Sequence, residues 1–258
     1  VIKSIQLEHE RSKNLSEEMI YEVVVVGNVQ SRWKNTAVIE FDELEGKPGW
    51  ISRKKNIGAD SAKYENLVMM HDYIELSPGW YEGYLNFGEN FDICMNKIYK
   101  CDGSRFTDWT LCVSFYEAFK GKYGLSPYKI LLPYDMGSRY SKIMYVSGAY
   151  FVVKKYVMKA FPVDEKRLFG ESEDVEWSCR VRRFFDFSLN QNSKVIVNRP
   201  NKRNLRSVIE KRVENIIREL SDDKIKEISE TSSCFLGYYK VHYYIFMYNS
   251  NISIWRQL

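Results

Sequence analysis

Four carboxylates crowded into six residues are the feature of this sequence that most clearly suggests chemistry. Residues 169–177 (FGESEDVEW) carry Glu171, Glu173, Asp174 and Glu176 just after a glycine, at the predicted start of a helix. The positive end of a helix dipole stabilises acidic side chains there, by about 0.3–1 kcal/mol each. That effect accounts for one or two of the four. It does not explain why all four are crowded together, because their mutual repulsion opposes folding. We therefore predict that this turn is a functional site.

A second polar group follows an apolar run. Residues 67–70 (LVMM) predict a buried strand, and His71, Asp72 and Tyr73 come directly after it. In open α/β sheets, ligands bind at the carboxyl ends of the strands. The triplet is therefore placed to meet a pyrophosphate, directly or through a metal ion. The alternative is that Asp72 is a simple turn residue, as an Asp after a strand often is.

The hydrophobic pattern predicts an α/β domain that could position these groups. Strands are predicted at residues 21–26, 37–41, 67–70, 129–132, 144–153 and 195–197. Helices are predicted over 61–66, from Ser77-Pro78 onward, and from Glu173 onward. The continuous β-branched run of the first strand is typical of a parallel sheet that is covered on both faces.

The region after residue 200 has a different pattern. Apolar side chains from Val208 to Leu220 recur on one face of a predicted amphipathic helix, over residues 204–228. We expect this helix to pack on the domain or to form an oligomer contact, and the aromatic tail to contribute core strands. The chain is thus divided into a domain over residues 1–200 and a helical and aromatic extension over residues 201–258, packed on the same domain.

Composition narrows the classes of function. A net charge of +4 suits an anionic small ligand but is too small for a nucleic-acid-binding surface. No apolar run reaches the roughly 20 residues that span a bilayer, and no signal peptide is expected, although a chain beginning at Val1 is compatible with a removed N-terminal anchor. Five cysteines without a CxxC pair predict free thiols in a reducing cytoplasm. The 15% aromatic content suits stacking on sugars, but it also simply fills cores.

Five segments in order resemble a known family. They are VVVVGN, NIGADSAKYEN, LVMMHDYIELSPGW, VSGAYFVV and GESEDVEWSCR, between about residues 21 and 198. This series resembles the GT-A glycosyltransferases, especially inverting enzymes of the family 2 kind, and a sub-group encoded by large algal (chlorella) viruses that includes a xylosyltransferase. The resemblance implies a Rossmann-like, mostly parallel central sheet with helices on both faces, followed here by the C-terminal amphipathic helix. It implies transfer of a sugar, xylose in that sub-group, to a hydroxyl of a glycan acceptor.

The resemblance also assigns the catalytic residues. In the family a late Glu-Asp pair supplies the base. The resemblance implies that Asp174 is the catalytic Asp of that pair and acts as the general base, with Glu173 beside it. Inverting transfer needs one carboxylate to accept the proton of the acceptor hydroxyl, and a positioned base contributes about 10²–10⁴-fold. The phosphate leaving group needs no proton, unlike the leaving group of a glycoside hydrolase, which takes one from a second carboxyl group.

Donor contacts follow from the same resemblance. The implied contacts to a nucleoside diphosphate, with UDP expected, are Glu40, Asp42, Lys55, Asn56, His71, Asp72 and Tyr73. The family places an Asp-x-Asp motif at residues 71–73, whereas here only Asp72 is acidic. Mn²⁺ and Mg²⁺ prefer oxygen ligands, so this departure weakens the prediction of a metal. We nevertheless predict Mn²⁺ or Mg²⁺ held by Asp72 and His71 together with the pyrophosphate.

Contacts to the sugar and the acceptor are implied between the two acidic sites. The candidates are Asp102, Arg105, Asp108, Trp109, Ser147 and Gly148. Ser147 and Gly148 match the small-residue turn that lies beneath the acceptor in the family. They are equally consistent with plain strand packing.

Other functions remain as alternatives. A dinucleotide oxidoreductase needs G-x-G-x-x-G after its first strand, and residues 27–30 (GNVQ) do not supply it. A non-catalytic, lectin-like module would explain the aromatics and would bind glycan without nucleotide. A hydrolase on the same fold would use water in place of the acceptor. The expected partners are a nucleotide sugar and a glycan, with no nucleic acid and no integral membrane segment. The expected location is the cytoplasm, which for a viral chain is the cytoplasm of the host.

Overall fold

A five-stranded mixed sheet forms the centre of the molecule. The computed structural model describes residues 1–29, 33–42, 49–111, 129–135, 139, 141–168, 173–199, 207–208, 218, 221–223 and 225–226. The strands are β1 (Val23–Val26), β2 (Thr36–Ile39), β3 (Asn66–Met70), β4 (Ile74–Leu76), β5 (Ile93–Lys100), β6 (Thr110–Leu111), β7 (Lys129–Ile130), β8 (Met144–Tyr145), β9 (Tyr150–Lys154), β10 (Phe187–Val197) and β11 (Ser207–Val208). The helices are α1 (Ile2–Ser12), α2 (Ile51–Ser61), α3 (Trp80–Phe87), α4 (Lys155–Ala160) and α5 (Glu173–Val181).

The strand order of the central sheet is β3-β9-β5-β10-β4. β10 pairs in parallel with β5, while β9 pairs antiparallel with both β3 and β5, and β4 pairs antiparallel with β10. Three strands (β3, β5 and β10) therefore share a direction, and their carboxyl ends lie at one edge. A separate parallel pair, β1 and β2, packs through β1 against α2. The predicted α/β class is confirmed. The central sheet, predicted to be mostly parallel, has three strands in one direction and two in the other.

Two backbone hydrogen bonds show which loops meet at this edge, here called the site edge. The N–H of His71, after β3, donates to the carbonyl of Ala149, just before β9, over 2.9 Å. The N–H of Asn198, after β10, donates to the carbonyl of Tyr73 over 2.8 Å. The polar triplet 71–73 is thus held between the start of β9 and the end of β10.

Aromatic packing fixes the helix that carries the acidic turn. The side chain of Trp177 in α5 is fully buried, and its ring centroid lies 5.2 Å from that of Phe151 in β9. Its indole N–H donates to the carbonyl of Phe161 over 2.7 Å, so the one polar atom of the ring is satisfied. Because α5 is anchored on the sheet in this way, its first turn has a defined position relative to the site edge.

Several predicted elements differ from the structure. The helix predicted over 61–66 is wrong, because α2 ends at Ser61 and Asn66 already begins β3. The helix expected after Ser77-Pro78 begins at Trp80, where Gly79 in the left-handed region precedes it. Strand β5, in the middle of the sheet, has no counterpart among the predicted elements.

The C-terminal prediction is tested only in part. Ser207 and Val208 form β11, which pairs with β7, so the helix predicted over 204–228 is wrong at those two residues. Arg218 is helical, and Ile225 is buried in the core cluster. Most of residues 201–258, including the aromatic tail, lie outside the described residues.

The structure also shows the state of three cysteines and the character of the helices. Cys94 and Cys101 are free thiols, but Cys179 in α5 is disulfide-bonded, so the expectation of free thiols throughout is wrong for Cys179. Among the described helices, none combines the length and the apolar character that crossing a membrane requires.

Candidate functional site

The carboxylate of Asp174 is held by two backbone N–H groups. Gly148 donates to Oδ2 over 2.8 Å, and Val175 donates to Oδ1 over 2.9 Å. The first bond joins α5 to the turn before β9, and the second lies within the first turn of α5. Asp174 is half-buried. A carboxylate with this support has a fixed orientation at the site edge.

Gly148 is required by close approach rather than by its backbone angles. A Cβ at this position would lie 2.9 Å from Oδ2 of Asp174 and 3.0 Å from Oε1 of Glu173. Contacts that short force the neighbour to move, and here the neighbours are the two carboxylates themselves. The small residue predicted beneath the acceptor therefore makes room for the acidic pair.

Glu173 forms a buried ion pair with Lys55 of α2. The Nζ–Oε1 distance is 2.9 Å, and the two side chains are 7% and 8% exposed. Burial opposes the charged carboxylate, but the charge and hydrogen bond of Lys55 outweigh it and lower the pKa of Glu173. Removing one partner of such a pair leaves an uncompensated buried charge, which costs about 3–5 kcal/mol. The pair ties α2 to α5, which are far apart in the sequence.

The imidazole of His71 lies beside this ion pair. Burial, followed by the charge of Lys55, lowers the pKa of His71 to about 4, so the ring is neutral near pH 7. Its Nδ1 lies 2.8 Å from the hydroxyl of Tyr73. Its Nε2 is buried and, within the part of the chain that the structure describes, has no hydrogen-bond partner. A buried nitrogen with free hydrogen-bonding capacity at a site edge is a candidate contact for a bound ligand.

Two further cations face the polar triplet. Lys54 lies close enough to Asp72 for the carboxylate to act on its pKa, which burial lowers overall. The guanidinium of Arg199, just after β10, lies 5.2 Å from the centroid of the Tyr73 ring and acts electrostatically on His71. Arg199 is absent from the predicted site. Its signal in the sequence was its place directly after the strand predicted at 195–197.

The structure therefore brings together residues from four distant stretches. We call Lys55, His71, Gly148, Glu173 and Asp174 the edge cluster. All five were predicted as site residues from the sequence. Asp72 lies on the exposed side of the edge cluster, and Tyr73 supports it through the bond to His71.

Other predicted site residues make structural contacts instead. The side-chain amide of Asn56 is buried, where it accepts from the N–H of Val163 and donates to the Val163 carbonyl, each over 2.9 Å, and also donates to Glu165 over 3.0 Å. Ser147 is buried at the start of β9, where its carbonyl accepts from Tyr150. Glu40 and Asp42 are exposed beyond the end of β2.

The four predicted residues after β5 form a separate group. The carboxylate of Asp108 is fully buried and bonds to Arg105, whose guanidinium carbon lies 3.8 Å from the centroid of the Tyr134 ring. Trp109 is fully buried, and Asp102 is exposed in a turn, where it accepts from Ser104. We call Arg105, Asp108 and Tyr134 the Asp108 cluster.

The described residues do not form a ligand set for a divalent cation. Within the described ranges, no three His, Cys, Asp or Glu side chains are grouped so that they could hold a metal ion. Of the two predicted ligands, Asp72 faces Lys54, and one nitrogen of His71 is engaged by Tyr73. Mn²⁺ and Mg²⁺ prefer several oxygen ligands, and one exposed carboxylate among cations falls short of that. The predicted metal site therefore does not fit these residues.

Comparisons with known proteins give no family assignment. No protein-family model matches the chain, and no curated protein matches it. Similar solved structures include GalNAc-T7 with UDP, GalNAc and Mn²⁺ (14% identity, 68% of this chain and 37% of that one, TM-score 0.47). Another is S. aureus TarS 1–349, at 12% identity over 88% of this chain and 64% of that one, with a TM-score of 0.43. A third is the inositol-1-phosphate CTP transferase from T. maritima, at 12% identity over 78% of this chain and 69% of that one, with a TM-score of 0.37.

These similarities are too weak to carry an argument. The chain spans 37% and 64% of the length of the first two structures, and all three TM-scores lie below 0.5. The functional assignment therefore depends on the chain's own residues and their geometry.

Proposed function

We propose that the chain is an inverting glycosyltransferase that moves a sugar from a nucleoside diphosphate sugar to a hydroxyl of a glycan, with Asp174 as the general base. The observation that carries this proposal is the edge cluster itself. A carboxylate oriented by two N–H groups lies at the carboxyl edge of three strands that share a direction, beside a buried imidazole and several cations. Ligands of open α/β sheets bind at such edges.

The arrangement suits displacement at an anomeric carbon. The acceptor oxygen forms a bond to that carbon while the bond from the carbon to the phosphate oxygen breaks. The hydroxyl proton passes to the carboxylate of Asp174, and the nucleoside diphosphate leaves with the bonding electron pair. Because the leaving group is already a stable anion, the site needs a base and positive charge. Asp174 supplies the base, and Lys54 and Arg199, which border the edge cluster, supply the positive charge.

Glu173 takes a positioning role in this proposal. Its carboxylate is bonded to Lys55 and buried, whereas Asp174 is half-buried at the same turn. The ion pair fixes the start of α5 against α2 and so fixes the direction of the neighbouring Asp174 side chain. The division of roles agrees with the Glu-Asp pair of the family that the sequence resembles.

The finer assignments come from that resemblance. We propose UDP as the nucleotide and xylose as the transferred sugar, because the resemblance extends to the algal-virus sub-group that includes a xylosyltransferase. The proposed acceptor is an oligosaccharide hydroxyl.

A screen of nucleotide sugars tests the function. Purified protein is incubated with UDP-, GDP- and other nucleoside diphosphate sugars and a panel of oligosaccharides, with EDTA or with Mn²⁺, and products are detected by mass spectrometry. The proposal predicts a glycan heavier by one sugar residue together with the free nucleoside diphosphate. Release of free sugar alone would indicate a hydrolase. Thermal stabilisation by glycans but by no nucleotide would favour the lectin-like module and contradict the proposal.

A further inference from the structure

Positive side chains occupy the site edge where the resembled family has metal-binding carboxylates. Lys54 and Arg199 each lie close enough to the triplet to interact electrostatically with it, through Asp72 and His71 respectively. Lys55 lies deeper, and its ammonium also acts on His71. The only acidic member of the triplet is Asp72.

A divalent cation would be poorly stabilised in this environment. It would gain attraction from Asp72 but would be repelled by the charges of Lys54 and Arg199. Coulomb repulsion grows with the product of the charges, so at the same distance a divalent ion is repelled twice as strongly as a monovalent one. The same cations attract the negative charge of a diphosphate.

The buried imidazole of His71 adds a directional contact. When the hydroxyl of Tyr73 donates to Nδ1, the ring proton resides on Nε2, which is buried and has no partner among the described residues. An N–H in that position donates a hydrogen bond to a phosphate oxygen. A metal ion would instead require the lone pair of Nε2 and the opposite tautomer.

We propose that this site binds the diphosphate of its donor without a divalent cation, through the charges of Lys54 and Arg199 and the Nε2–H of His71. The inference rests on the proposed function, since it concerns how the same donor is held. It is independent of the identity of the sugar. Lys55 remains paired with Glu173 and contributes through its charge.

Calorimetric titration with nucleoside diphosphates tests the proposal directly. The probes are UDP, GDP, ADP and CDP, each titrated into the 258-residue chain with EDTA and then with Mn²⁺. The proposal predicts that at least one probe binds and that its Kd agrees within about twofold between the two conditions, because a ligand that does not contact the metal shows no coupling to it. Binding that requires Mn²⁺, or that is at least tenfold tighter with it, would overturn the inference and leave the proposed function standing.

A matched pair of arginines tests the role of positive charge. Arg199→Gln is expected to weaken binding about tenfold or more in EDTA, because a charge-assisted contact is lost. Arg53→Gln is the control, since Arg53 in α2 is paired with Glu165 over 2.7 Å. Its Kd should match wild type. Equal effects of the two variants would contradict the assignment of Arg199.

Substitution of Asp72 tests whether its carboxylate opposes binding of the diphosphate or supports it through a metal ion. Asp72→Asn removes a negative charge beside the diphosphate, so metal-free binding should be unchanged or tighter by about threefold at most. If Asp72 is instead a metal ligand, the same variant loses Mn²⁺-dependent affinity. Failure of every nucleoside diphosphate to bind, with or without metal, would overturn this inference and the proposed function together.

Discussion

The Asp108 cluster and the edge cluster are two buried acidic groups at the same end of the sheet, and they differ in how their polar atoms are satisfied. Asp108 is fully buried and accepts four hydrogen bonds, from the N–H groups of Ile98 (3.0 Å) and Trp109 (2.6 Å), from Arg105 (2.7 Å) and from Tyr134 (2.5 Å). A carboxylate has about four such positions, so its capacity is fully used.

The edge cluster is arranged differently. It contains the half-buried Asp174, whose oxygens are oriented by backbone N–H groups, and a buried imidazole nitrogen that lacks a partner within the described residues. Exposed Asp72 and Arg199 border it. An acidic residue near a sheet edge is thus a candidate for catalysis when polar atoms around it remain available to hydrogen-bond a ligand. Acidic character and position alone do not distinguish the two clusters.

The largest effect on stability is expected at Asp108. Asp108→Asn removes the buried charge opposite Arg105 and replaces one acceptor with a donor, so the free energy of unfolding should fall by about 3–5 kcal/mol. Chemical denaturation measures this change, and nucleotide affinity of the folded protein should stay within about twofold of wild type. Asp102→Asn, in the exposed turn nearby, is the control and should leave the denaturation midpoint nearly unchanged. Loss of nucleotide affinity in folded Asp108→Asn would give this cluster a functional role.

The next largest effect is expected at Gly148. Gly148→Ala places a Cβ against both carboxylates, so Asp174 must shift; a displacement of about 1 Å can cost about 10²-fold in rate. Overpacking should also lower stability by about 1–3 kcal/mol. Transfer rate and denaturation midpoint are both measured, and nucleotide affinity should change little. A variant that transfers at the wild-type rate would show that the close approach of Gly148 is irrelevant to catalysis.

A smaller effect is expected from His71 as the pH falls. Its pKa is lowered from 6.5 to about 4 in the folded protein, so between these values the unfolded chain binds a proton that the folded chain does not. Stability that is present above pH 6.5 should therefore decline as the pH falls toward 4, by at most about 3 kcal/mol. The depressed pKa of Glu173 acts in the same direction at lower pH.

Denaturation curves at several pH values check this expectation. The slope of unfolding free energy against pH should be flatter between pH 4 and 6.5 for His71→Gln than for wild type. His9→Gln is the matched control. His9 lies in α1, where its imidazole hydrogen-bonds to the carbonyl of Met19. An unchanged slope in His71→Gln would mean that the imidazole is not held neutral by burial.

The sequence predicts those parts of the fold in which the hydrophobic pattern is regular. Strand β3 and the start of helix α5 were predicted close to their observed positions, and the strand predicted at 144–153 covers β8 and most of β9, because apolar runs and a 3.6-residue period are visible locally. Strand β5 was missed because Asn96 and Lys97 interrupt its apolar run. In the structure Asn96 is fully buried and accepts a hydrogen bond from Tyr84, a contact that only the tertiary fold supplies.

The candidate site was likewise predictable where its residues form a local pattern, and not where their contacts depend on the tertiary fold. The acidic turn and the triplet 71–73 were visible as local patterns, whereas their proximity depends on the order of strands in the sheet. The pairing of Lys55 with Glu173 crosses 118 residues of sequence, and no spacing rule predicts it. Asn56 and Asp108 were predicted as contacts because of their type and position, but their hydrogen bonds are spent within the protein.

The most direct test of the proposed mechanism compares two neighbouring carboxylates on α5. Glu176 lies two residues after Asp174 in α5 and accepts a hydrogen bond from Arg180 over 2.9 Å, so Glu176→Gln is a matched control for Asp174→Asn. With the donor and acceptor identified by mass spectrometry, the transfer rate of Asp174→Asn should fall by about 10²–10⁴-fold while nucleotide affinity stays within about twofold. Glu176→Gln should transfer at nearly the wild-type rate. Near-normal transfer by Asp174→Asn would contradict the assignment of Asp174 as the base.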